Sequence, residues 1–191
     1  MTFNIFHYNG DSELLNKALA GITCEKTIWR PDPVVQLSWV QQFRCMAAVA
    51  REYEEPWFGY AHDDGEISQE DFQKLLDASA VVDAEKVFAI MTRKSDDPNM
   101  NTDVYALFNT KLYWDIGGHD QNFTLYWADT DFFKRAHAKS YRQEYVEALS
   151  LKHIQSYGNK QASGLDKIAR DLHFIKDRAY FFNKHPDHVA L

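Results

Sequence analysis

Imidazole and carboxylate side chains stand next to each other at two places in the chain, His62-Asp63-Asp64 and His119-Asp120. Adjacent groups of these types can ligate one divalent ion and activate its water, which is hydrolytic chemistry. One functional reading is therefore a metal-assisted hydrolase with a site near His62, Asp63 and His119. Both doublets lie in glycine-containing stretches, however, where short acidic side chains bond to their own backbone. The preferred reading assigns them no catalytic role, no metal and no cofactor.

The segment Asp64-Gly65-Glu66-Ile67-Ser68-Gln69-Glu70-Asp71-Phe72 resembles the second half of an EF-hand calcium loop. With Gly65 as the turning glycine, the first and third ligand positions fall on Tyr60 and His62, which lack the carboxylate oxygen that calcium requires, and the closing position is Asp71 instead of glutamate. A turn leading into a helix capped by Ser68 is expected instead. His137 reads as an interfacial histidine and His185-Pro186-Asp187-His188 as part of a tail. Cys24 and Cys45, the only cysteines, read as reduced thiols. GxGxxG, GxSxG, HExxH and the P-loop pattern are all absent, which removes the common signatures of nucleotide binding, serine hydrolysis and zinc proteolysis.

Charge separates along the chain. The formal net charge is -7, yet residues 1–131 hold 22 acids against 10 bases while residues 132–191 hold 6 against 11. The acidic excess is densest between Glu52 and Asp97. Such a field disfavours nucleic acid and attracts a cationic protein. Trp57, Phe58 and Tyr60 lie in the same region and are residue types that anchor interfaces. The leading reading is thus a non-enzymatic protein-binding protein. Its surface comprises Glu54, Glu55, Trp57, Phe58, Tyr60, Asp63, Asp64 and Glu66, and it occludes a basic partner such as a toxin domain, as a toxin-neutralising (immunity) protein would. No oligomeric state follows from this reading.

The elements that must position these residues are read from periodicity and caps. Thr2 to Tyr8 alternates like a strand, and a short helix from Asp11 or Ser12 ends near Gly21. Asp32-Pro33 opens a helix whose apolar face runs from Trp39 through Phe43 and Ala47 to Tyr53, until Pro56 stops it. Residues 56–60 read as an aromatic loop. Val87 to Thr92 fits a helix or a strand, Asp103 to Ile116 a hairpin or a helix, and Phe123 to Trp127 a strand. A long helix is expected over 130–156, carrying a basic stripe of Arg135, Lys139 and Arg142. A last helix, about 162–182, places Leu165, Ile168, Leu172, Ile175, Ala179 and Phe182 along one seam, and the two pair antiparallel about Tyr157-Gly158-Asn159. The seam could alternatively join copies of the chain. The expected fold is α+β: one helix-dominated domain over 1–191 with a small antiparallel sheet, or else an all-α bundle. No run of 18 apolar residues and no secretory leader is seen, so a cytoplasmic protein without membrane contact is expected.

Overall fold

The stretch expected to be an aromatic loop is the middle of a sheet. The computed structural model describes residues 1–7, 12–29, 37–93, 101–153 and 164–188. In chain order the elements are β1 (Phe3–Phe6), α1 (Ser12–Ala20), β2 (Lys26–Trp29), α2 (Trp39–Glu52), β3 (Trp57–His62), β4 (Gly65–Glu66) and α3 (Gln69–Val81). They continue with β5 (Val87–Arg93), β6 (Asn101–Asn109), α4 (Thr110–Asp115), α5 (Ala128–Ala138), β7 (Arg142–Glu147), β8 (Lys152–His153) and α6 (Gly164–Lys184).

Six strands form one mixed sheet in the order β2-β1-β3-β6-β5-β7, and β4 pairs with β8 in a two-stranded sheet. The pairings β1 with β2, β1 with β3 and β5 with β7 are parallel, while β6 runs antiparallel to both neighbours. Five strands therefore point one way, and their carboxyl ends share one edge. This large mixed sheet with helices replaces the expected helix-dominated fold and the all-α alternative.

The reason lies in the pattern of β3. Phe58 and Tyr60 pack into one core with Phe43, Phe88, Phe108 and Phe132. Trp57 and Ala61 enter a second core with Phe3, Ile5, Phe72 and Leu107. Apolar residues on both faces make a continuous apolar run, the sign of a strand covered from both sides by helices. Gly59 sits between them because a Cβ there would run into the Phe3 ring on the neighbouring strand.

The helix from Trp39 is present and starts from a capping box in which Ser38 bonds Gln41 N–H and Gln41 reaches back. Ser68 caps α3 through Asp71 N–H. Residues 103–116, read as a hairpin or a helix, form neither throughout: the single strand β6 runs to Asn109, which caps the short helix α4. Two expectations fail in the last third. Residues 123–127 form no strand, and the long helix over 130–156 ends at Ala138, where a turn with Ser140 at φ 62 leads into β7. Among the described residues there is therefore no antiparallel pair of long helices; Asp32-Pro33 and residues 157–159 lie outside the described residues. Among the described residues, no helix is long and apolar enough to cross a membrane.

Candidate metal centre at the carboxyl edge of the sheet

Ligands of parallel α/β sheets sit beyond the carboxyl ends of the strands, where side chains and loops from several strands converge. In this chain β1 and β3 pair Phe6 with His62, so His7, Asp63 and Asp64 emerge side by side at that edge. β7 follows the same direction, and the chain after it returns through β8, which pairs His153 with Gly65. The turn after β3 therefore meets a histidine from a distant part of the chain.

The three groups that meet are His62, Asp64 and His153, whose ligand atoms all lie within 4.8 Å of one another. Asp64 Oδ1 is 3.8 Å from His62 Nδ1 and 3.5 Å from His153 Nε2. It is buried and accepts no hydrogen bond among the described residues. A shielded carboxylate oxygen without a donor is costly unless something positive approaches it. An Asp oxygen with two imidazole nitrogens is a donor set suited to a divalent transition metal with open coordination positions. The residues thus fit a metal ion.

Surrounding bonds hold these ligands in place. Tyr60 Oη lies 2.8 Å from His62 Nε2 and accepts the indole N–H of Trp39 at 3.0 Å. In the tautomer with Nε2–H donating to Tyr60, Nδ1 carries its lone pair on the Asp64 side, where a metal would take it, the usual arrangement behind a ligating histidine. Asp63, between the two ligands in sequence, turns away and binds His7 Nδ1 at 3.0 Å, tying the turn to the end of β1. Gly65 follows because a Cβ there would strike Val104 and Tyr105. Its carbonyl accepts from Tyr105 Oη, whose hydroxyl burial pushes well above the usual phenol range.

The hydrolase triad expected from sequence does not assemble. His119 is fully buried among Trp39, Phe43, Tyr113 and Phe132, with Tyr113 Oη 3.1 Å from Nδ1. Burial, reinforced by the Arg135 charge, pushes its pKa down to about 3, so it is a neutral core residue. Its neighbour Asp120 binds Lys184, Tyr180 and Asn122. Asp63 is occupied by His7 as described.

The residues read as a partner-binding surface divide between buried, half-buried and exposed positions. Trp57, Phe58 and Tyr60 are buried in the sheet and offer nothing to an outside protein. Glu55 binds the N-terminal amine and Thr2, Glu66 binds Lys152, and Asp63 and Asp64 belong to the edge. Glu54 is exposed at a left-handed turn, φ 54. Of the residues singled out in the sequence, His62 and Asp64 are brought together with His153. Neither His153 nor His7 carried any local signal, because what joins them to the site is strand pairing.

No protein-family model matches the chain, and no curated protein matches it in sequence. Solved structures do resemble it. A mannosyltransferase from Pyrobaculum calidifontis, in complex with GDP-Man and Mn2+, is 11% identical with a TM-score of 0.59, over 99% of this chain and 64% of that one. The catalytic domain of Drosophila beta-1,4-galactosyltransferase 7, in complex with xylobiose, is 10% identical with a TM-score of 0.51, over 88% and 78% of the two chains. The protein A197 from STIV is 15% identical with a TM-score of 0.52, over 80% and 84%. The fold is therefore a glycosyltransferase-like α/β fold (GT-A), and this overturns both the non-enzymatic immunity protein and the metal hydrolase read from sequence.

Proposed function

We propose that the chain is a metal-dependent glycosyltransferase, moving a sugar from a nucleotide-sugar donor to an acceptor at the edge where His62, Asp64 and His153 meet. The observation that carries this is Asp64 Oδ1, buried, without a hydrogen bond among the described residues and facing two imidazoles at the carboxyl edge of a glycosyltransferase-like sheet. The likeness to a mannosyltransferase holding GDP-Man and Mn2+ supports the choice of donor class.

A divalent cation held there would neutralise the phosphate charge that builds on a departing nucleotide. The chain's own residues prepare the place. Asp64 supplies the anionic oxygen, Tyr60 fixes the His62 ring, and the His7–Asp63 pair fixes the turn that carries both ligands. Ligands locked in advance lose little entropy on binding. A donor would approach from the carboxyl edge of the sheet, the side on which ligands of this fold class bind. Cys24 and Cys45 are both free thiols, which suits a cytoplasmic location.

Calorimetric titration of Mn2+ into the full chain, with and without GDP or UDP, tests the reading, alongside release of nucleoside diphosphate from a panel of nucleotide sugars. Binding should fall at least about tenfold in His153→Ala and vanish in Asp64→Asn, with diphosphate release lost in both. A wild-type chain that takes up no Mn2+ at millimolar metal and releases no diphosphate would remove the proposal.

A further inference from the structure

Helix α6 carries two unrelated faces. One is spent on its own domain: Asp177 and Phe181 are fully buried, Asp177 accepts the N–H groups of Thr124, Leu125 and Tyr126, and Tyr180 and Lys184 reach Asp120. The other face runs Ile168, Leu172, Ile175, Ala179, Phe182, in alternating steps of four and three, the spacing of a helix–helix seam. It is largely bare, with Ile168 55%, Leu172 61% and Ile175 62% exposed. Nothing in the sugar-transfer reading accounts for an apolar row of this length.

Charge and shape narrow what covers it. Asp171 borders the seam on one side with Arg178, and Lys176 borders it on the other. A narrow apolar stripe with an acid at its margin suits another helix, whereas a helix that lies on a bilayer presents a wide apolar face and a basic border. A groove of about 390 Å³ is lined by Phe174, Ile175, Arg178, Ala179 and Phe182. The small Ala179 stands in it between two large side chains and makes a hole for a knob of ordinary size.

We propose that this face joins two copies of the chain as an antiparallel two-fold dimer through α6. Centred between Leu172 and Ile175, the pairing sets Leu172 against the partner's Ile175 and Ile168 into the groove at the partner's Ala179. Asp171 then faces the partner's Arg178, and two-fold symmetry repeats the ion pair. A parallel pairing sets Ala179 against the partner's Ala179 and leaves the groove empty, so it loses the shape match.

Sedimentation of the full chain at micromolar concentration, with circular dichroism to check folding, tests the assignment. Wild type should be dimeric, and Leu172→Glu, at a site already open to water, should weaken the dimer about a hundredfold. Asp171→Arg should weaken it, and Asp171→Arg combined with Arg178→Asp should restore it. Restoration by Lys176→Asp instead of Arg178→Asp would show a parallel pair and overturn the arrangement. A folded wild type that stays monomeric, or that is monomeric and sediments with anionic phospholipid vesicles, would overturn the dimer itself.

Discussion

At the scale of single residues, two histidines that look alike in sequence have opposite chemistry. His62 sits at a strand end with one nitrogen toward Tyr60 and the other toward Asp64, whereas the His119 ring is enclosed by aromatic rings and bonds Tyr113. Burial is what lowers the His119 pKa to about 3, with Arg135 and Arg44 adding to it and Asp131 opposing. The folded chain keeps this ring neutral while the unfolded chain protonates it near pH 6.5, so the unfolded state binds the extra proton. Stability conferred by the neutral ring is complete above pH 6.5 and falls as pH drops toward 3, at up to about 1.4 kcal/mol per pH unit. Asp120 and Asp131 act in a lower window. Burial works to raise both, but hydrogen bonds from Lys184 to each, with His185 and Arg135 also acting on Asp131, hold them below the usual carboxylate range, and their contribution is lost only as pH falls below that range. Urea unfolding of His119→Asn should therefore show a flatter dependence between pH 6.5 and 4.5 than wild type. The slope is the readout, so the cavity left by the smaller side chain does not obscure it; equal slopes would mean the ring is protonated in the fold.

The elements show where the sequence is legible and where it is not. Helices with local start signals, at Ser38 and Ser68, read correctly because a cap and an apolar face are local facts. Trp57 to Tyr60 reads as a loop because its aromatic run has no alternation, although burial on both faces removes the need for any. Residues 142–147 carry helix-compatible spacing yet pair with β5, a decision made by the exposed sheet edge and not by the segment itself. The candidate site was half legible: His62 and Asp64 stand out in one His-Asp-Asp run, while His153 arrives through a two-residue pairing of β4 and β8. The docking of α6 was illegible for the same reason. Asp177 accepts backbone N–H groups from a segment far away in the chain, at 2.9–3.1 Å. Charge-assisted bonds of this kind contribute about 1.5–3 kcal/mol each when a partner is removed. Asp177→Asn should cost about 2 kcal/mol in denaturant unfolding, by the same reasoning, and should raise amide exchange selectively at residues 124–126. Unchanged exchange there would show that α6 is held by its aromatic contacts alone.

Across the whole molecule, the separation of charge along the chain does not become a separation in space. The surplus bases of the last third return to the acids of the earlier part: Lys139 to Asp115 at 2.9 Å, Lys152 to Glu66 at 3.0 Å, and Lys184 to Asp120 at 2.6 Å and Asp131 at 2.7 Å. The negative field of the first two thirds is partly neutralised from within, which is why the acidic run alone was a poor guide to function. These pairs are not equal. Those of Lys139 and Lys152 are open to water, where entropy and screening cancel most of the attraction. Lys184 instead closes a node in which Asp131 is fully buried and also engaged by Arg135 and His185. Removing the ammonium there leaves a dry carboxylate with fewer partners, and such losses run to a few kcal/mol. Lys184→Met, which keeps the aliphatic stem, should lower unfolding stability by about 2–3 kcal/mol, while Lys139→Met and Lys152→Met should leave the denaturation midpoint unmoved. Raising the salt concentration should not change that ranking, because the node is shielded from ions. Three equal effects would mean that neutralisation is diffuse over the surface, and that the α5–α6 node has no special part in joining the end of the chain to its core.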